Sequence, residues 1–91
     1  MPRHGKSTHI VEGVVVEIYD LGEESFAARV SYGENLYGAR FDEAERIHLL
    51  PEGILLETED QGIPYAWPTL PIQYSMLHAI KERRYQSGLM P

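Results

Sequence analysis

The run "SFAARVSYGENLYGARFD", residues 25–42, decides the fold class. Phe26, Ala28, Val30 and Tyr32 fall on one side of an extended chain; Ala27, Arg29 and Ser31 fall on the other. This period of two describes a half-buried antiparallel strand. "GEN", residues 33–35, supplies a tight hairpin loop. The returning strand, "LYGARFD", carries Tyr37, Ala39 and Phe41 on its bulkier face. Gly38 in mid-strand predicts a bulge or a strong bend, the corner that a small barrel needs. Tyr32 reads as core. Arg29 and Arg40 oppose the bulky faces and are expected on the solvent side.

Upstream, "GVVVEIYD" repeats the signal, with Val14, Val16 and Ile18 against Val15, Glu17 and Tyr19. β-branched density supports a strand, and "DLGEE" around Gly22 gives the turn that follows. Residues 1–9 are polar and without period, and read as a flexible basic tail. Within them "HGKSTH" ends like a phosphate-binding loop. That loop needs an earlier glycine, a strand before it and a helix after it, and none of these is present. Downstream, "EAERIHLL" fits a short helical turn or a strand, and Pro51 closes it. "GILLETED" reads as one more strand, so that strands occupy about residues 10–62.

The connector "GIPYAWPTLP", residues 62–71, holds the only tryptophan. Pro64 and Pro68 deny it ladder hydrogen bonds, so it is no central strand. Trp67 is expected to fold under the following element as a core plug, with Tyr65 left at the surface. After Pro71 the period becomes 3.6. Ile72, Met76, Leu77 and Ile80 form the apolar stripe of a helix over about residues 71–86, with Pro71 in its first turn and Gly88 as its stop. The expected fold is α+β: a small antiparallel, barrel-like or strongly bent sheet of four to five strands, SH3-like, followed by one C-terminal amphipathic helix. Residues 10–91 make one small domain.

Composition bounds the function. The 91 residues contain no cysteine, which removes disulfides, thiol nucleophiles and Cys-ligated zinc. No apolar h-region opens the chain and no apolar run is long enough for a membrane span, so a cytoplasmic protein without membrane contact is expected. The net charge is −6, and 13 acids lie between Glu12 and Asp60 against Arg29, Arg40 and Arg46. Both ends are basic. An acidic body repels nucleic acid and attracts a basic protein surface; the same acids also serve solubility.

No catalytic signature appears. His4 and His9 are five apart, His78 faces Glu82 at i+4, and a metal site would need His48 and His78 to converge with a carboxylate. The carboxylate pairs sit at turns and strand ends, where solvation is the default. No catalytic residue, metal or cofactor is therefore expected. Tyr and Trp are enriched at protein interfaces. Tyr19 and Tyr65 are the interface candidates, with Glu23, Glu24, Asp42, Glu43, Glu45, Glu57, Glu59 and Asp60. The segment through "AWP" (66–68) and "YSML" (74–77) resembles small bacterial domains encoded near toxin–antitoxin or defence loci, a likeness that transfers no residue.

The expected function is a non-enzymatic interaction module: an acidic accessory subunit, adaptor or inhibitor of a larger partner. One alternative is an acidic inhibitor that imitates nucleic acid, with the eight acids standing in for phosphates along one face. A second is a ligand-binding or enzymatic barrel with its mouth near Tyr65, Trp67, His48 and His78. Open strand edges also suggest a homodimer.

Overall fold

The computed structural model describes residues 5–88. Five strands follow one another: β1 (Lys6–Val11), β2 (Val14–Gly22), β3 (Ser25–Tyr32), β4 (Asn35–Phe41) and β5 (Ile47–His48). They form one antiparallel sheet in the order β1-β2-β3-β4-β5. A long connection with a single 3-10 turn at Thr58–Asp60 leads to α1 (Leu70–Gly88). The fold is thus an α+β meander plus helix. The sheet stays open and does not close into a barrel.

The two faces of the sheet are covered differently. On the near face Val16, Ile18, Phe26, Ala28, Val30, Tyr37, Ala39 and Phe41 pack with Ile72, Met76, Ala79 and Ile80 of α1. Spacings of four, three and one put these helical positions on one stripe. Leu77 lies at its margin, partly buried against the same cluster. The carbonyl of Thr69 accepts the first helical hydrogen bond, from Gln73 N. Pro71 then falls in the first turn, where its missing N–H would have had no partner. The helix crosses β1, β2 and β3.

The far face carries Tyr19, Ala27, Arg29, Leu36 and Gly38, all buried. Their cover is the connection 49–69, not a helix. Ala66 seals the outer edge of β4: its N–H donates to Leu36 O at 2.8 Å, and its carbonyl accepts from Gly38 N at 3.3 Å. Gly38 sits in an unbroken ladder opposite Arg29. The irregularity expected there occurs instead in β2, between Asp20 and Gly22. Gly38 answers a different need. A Cβ at this position would stand 2.8 Å from the Tyr65 ring, so only glycine admits the tyrosine.

Several expectations are corrected. Lys6–His9 is not a tail but most of β1, paired from Lys6↔Tyr19 to Val11↔Val14; residues 1–4 lie outside the described residues. "GILLETED" forms no strand, because the edge of β4 is already taken by β5 and Ala66. The start of α1 at Leu70 is one residue earlier than expected. Tyr32 is on the core face but 58% exposed, because it stands at the end of β3 near the Gly33 turn. Trp67 is 46% exposed and plugs nothing; the fully buried residue of that joint is its neighbour Pro68. Arg29 does oppose the helix-covered face, yet the connection buries it.

Among the described residues four non-glycine residues have left-handed backbone, and all are glutamates: Glu12, Glu23, Glu24 and Glu45. Glu23 and Glu24 form a two-residue turn closed by the Gly22↔Ser25 pair, with φ of 54° and 63°. Such turns favour Asn-Gly, and a left-handed L-residue costs about 1–2 kcal/mol. Glu23→Asn with Glu24→Gly is expected to stabilise the fold by about 1–2 kcal/mol, measured as a raised urea midpoint with an unchanged slope.

Candidate functional site

The far face is organised around Arg29. The residue sits mid-strand on β3, with Glu17 of β2 as its cross-strand neighbour. Its guanidinium grips Asp60 with two parallel bonds, Nε to Oδ2 at 2.8 Å and Nη2 to Oδ1 at 2.7 Å, and donates through Nη1 to Glu17 at 2.6 Å. Glu59 stands 3.7 Å away. The hydroxyl of Tyr65 donates to Asp60 at 2.6 Å and accepts from Leu56 N at 2.7 Å. Beside this set, Glu57 takes the Tyr19 hydroxyl and, at 2.8 Å, the Lys6 ammonium.

The shifts follow the pairing. The Arg29 hydrogen bonds hold the Asp60 carboxyl below the usual range despite burial, and Asp60 in turn raises Arg29. Lys6 and Tyr19 lower Glu57, and Glu57 raises Lys6. Burial, reinforced by Asp60, pushes Tyr65 up to about 12. Burial and the Glu57 contact raise Tyr19. Among the described residues no buried side-chain N or O atom lacks a partner. The set is a saturated clamp that straps residues 56–65 to the sheet.

A second clamp fixes α1. His9 on β1 is buried, with Nδ1 2.7 Å from Glu82 Oε1 and Nε2 2.7 Å from Ser7 Oγ. Arg83 donates to Ser7 Oγ at 2.9 Å and to Ile18 O at 3.3 Å. Arg84 reaches Glu45 at 3.0 Å, Glu24 O at 3.0 Å and Asp42 O at 3.2 Å. The two guanidiniums lie over the Phe26 ring, 5.8 and 5.3 Å from its centroid. Asp42 accepts from His48 and from Ala44 N and Arg46 N, which lower its pKa to about 2.

The interface residues expected from sequence therefore separate. Glu23, Glu24, Asp42, Glu43 and Glu45 meet at one end of the sheet, where Arg84 ties both loops together. Glu57, Glu59 and Asp60 lie on the far face. Only Glu23, Glu24, Glu43 and Glu59 are exposed. Glu45 and Glu57 are held by the protein's own cations, Asp42 by His48 and two backbone N–H groups, and Asp60 by Arg29 in full burial. Tyr19 is buried and Tyr65 half-buried, so neither presents a free aromatic surface. Tyr65 and His78 line two different concavities, and neither of these includes Trp67 or His48. Tyr65 lines an apolar far-face pocket of about 420 Å³ with Leu50, Ile54, Leu55 and Ile63. His48 is held by Asp42. Among the described residues no cluster of three or more His, Cys, Asp or Glu side chains is placed to hold a metal ion.

What sequence reasoning passed over is a groove on the near face. Its volume is about 660 Å³, and its walls include Tyr32, Tyr37, Tyr74, Ile72, His78 and Glu12. The β1–β2 turn supplies Glu12, the β3–β4 end supplies Tyr32 and Tyr37, and the first half of α1 supplies the rest. Tyr74 is 66% exposed. The signal for it was present: Tyr74 lies two residues from both Ile72 and Met76, off the stripe, so it had to leave the core.

Comparison with protein-family models, curated proteins and solved structures finds no match to this chain.

Two measurements test the far-face clamp. Arg29→Met leaves the buried Asp60 with the Tyr65 hydroxyl but without its cation, and is expected to cost about 3–5 kcal/mol in urea unfolding. Adding Asp60→Leu should return much of that loss. Asp42, Glu57 and Asp60 hold their protons more weakly folded than unfolded. The unfolded chain thus takes up protons first as pH falls, and stability should drop from about pH 4 downward, a slope that Asp60→Asn makes shallower.

Proposed function

We propose that this chain is a protein–protein interaction module, an acidic accessory subunit, adaptor or inhibitor that docks on a larger partner with a basic surface. The observation that carries this reading is the tyrosine groove. Tyr32 and Tyr74, 58% and 66% exposed, flank the same concavity. Tyr side chains bury much area at low entropic cost and recur as anchors at protein interfaces. Trp67 and Leu70 are also substantially exposed just before and at the start of the helix that lines the groove. The net charge of −6 favours approach of a basic partner.

The nucleic-acid-mimicking alternative draws on Glu23, Glu24 and Glu43, which face outward at one end. It is the weaker reading, since four of its eight acids are engaged inside the protein.

Affinity capture with the wild-type chain and with Tyr32→Ala/Tyr74→Ala separates the two. The groove reading expects one enriched partner, lost in the tyrosine variant, with melting within about 0.5 kcal/mol of wild type because both side chains are surface-exposed. Glu23→Lys/Glu24→Lys/Glu43→Lys should weaken capture modestly and steepen no salt dependence beyond that of the wild type. Loss of capture only in the charge-reversed chain would transfer the case to the acidic mimic, and equal capture by all three would sink the interaction reading.

A further inference from the structure

The protein twice completes a set made of an aromatic ring, a carboxylate and a cation. Lys6 lies 6.0 Å from the Tyr19 ring centroid and binds Glu57. Arg84 lies over Phe26 and binds Glu45. In the groove the first two parts recur: Tyr32, Tyr37 and Tyr74 are wall residues, and Glu12 is placed there by the tight Val11↔Val14 turn. The third part is missing. Among the described residues no Lys or Arg lines the groove, and Glu12 forms no ion pair within 4.0 Å.

From this juxtaposition we infer that the groove receives an arginine side chain from the partner, its guanidinium set against the tyrosine rings and paired with the Glu12 carboxylate. The inference rests on the interaction-module reading above and names what that partner must present. Aromatic faces attract cations through their quadrupole, and more so once water is excluded. A planar guanidinium stacks on rings and presents parallel N–H donors to a carboxylate, which an ammonium does not. The acidic body adds long-range attraction of the same sign. His78, the remaining titratable wall residue besides the tyrosines and Glu12, faces the same space from α1.

The test is a titration of the full chain, followed by NMR, with blocked Gly-Arg-Gly. The same peptide with citrulline keeps the shape and removes the charge. Gly-Lys-Gly and tetramethylammonium complete the series. Saturable shifts at Tyr32, Tyr74 and Glu12 are expected with the arginine peptide, with the citrulline peptide weaker by about tenfold or more and the lysine peptide in between. Glu12→Gln and, separately, Tyr74→Leu should each weaken the arginine peptide by about three- to tenfold. Equal binding of the arginine and citrulline peptides would overturn the inference, as would shifts confined to the Glu23–Glu24 end, or tetramethylammonium binding more tightly than the peptide. Partner capture separates this failure from that of the wider reading. If capture needs Tyr32 and Tyr74 but ignores Glu12→Gln, the arginine inference falls and the interaction module stands; if capture ignores all three, both fall.

Discussion

Arg29 stands near the middle of β3 on the face that α1 leaves uncovered, and its two-pronged grip on Asp60 is what gives that face a cover. A five-stranded meander with one helix can bury only one side of itself. The other side would then expose Tyr19, Ala27 and the backbone around Gly38. The connection 49–69 has almost no regular structure to hold it in place. It is held instead by Asp60 and Glu57 reaching charges on β1 and β3, by Tyr65 seated on a glycine, and by Ala66 on the edge of β4. A buried ion pair adds little net stability over an apolar replacement but is costly to break. Its contribution here is positional: it decides where a loop of low local order lies.

The near face and its hairpins were legible in the sequence because they rest on local period. Residues 25–42 alternate with little ambiguity, and Ile72, Met76 and Ile80 announce a helix of the right phase. Alternation also placed Arg29 on the correct side. It could not say that this side is covered, because the partner lies 31 residues away in a segment with no strand of its own. β1 was hidden for a related reason. Ser7 and His9 take positions where apolar residues would have revealed the pattern, and they are tolerated there because Glu82 and Arg83, more than seventy residues on, satisfy them. Trp67 misled through residue type: large apolar area suggests burial, yet Pro68 reaches the interior and the indole stays half outside.

The distribution of charge acquires a sense from the same pairs. Most of the described cations are consumed at the two clamps, Lys6 and Arg29 on the far face, Arg83 and Arg84 beneath the end of the helix. Acids outnumber them, so among the described residues carboxylates without a paired cation remain at the tips, Glu12 beside the tyrosines being one. The candidate site is therefore composed of what the core and the clamps leave over: the exposed rings of Tyr32 and Tyr74 beside the buried Tyr37, and a carboxylate that no cation among the described residues reaches. Its residues come from β1–β2, β3–β4 and α1, elements that the two clamps hold in fixed relation.

The helix clamp also brings distant parts of the chain together. Arg83 Nη1 lies 3.4 Å from the carbonyl oxygen of Gly5, so the start of β1 and the last turns of α1 are neighbours. A short linker between them would leave every strand pairing intact. The chain could then be reopened in the exposed stretch at Glu52–Gly53, where Gly53 already turns with φ of 87°. Such a circularly permuted chain would begin and end on the far face, away from the tyrosine groove, and would carry a fused reporter there without obstructing the proposed binding surface.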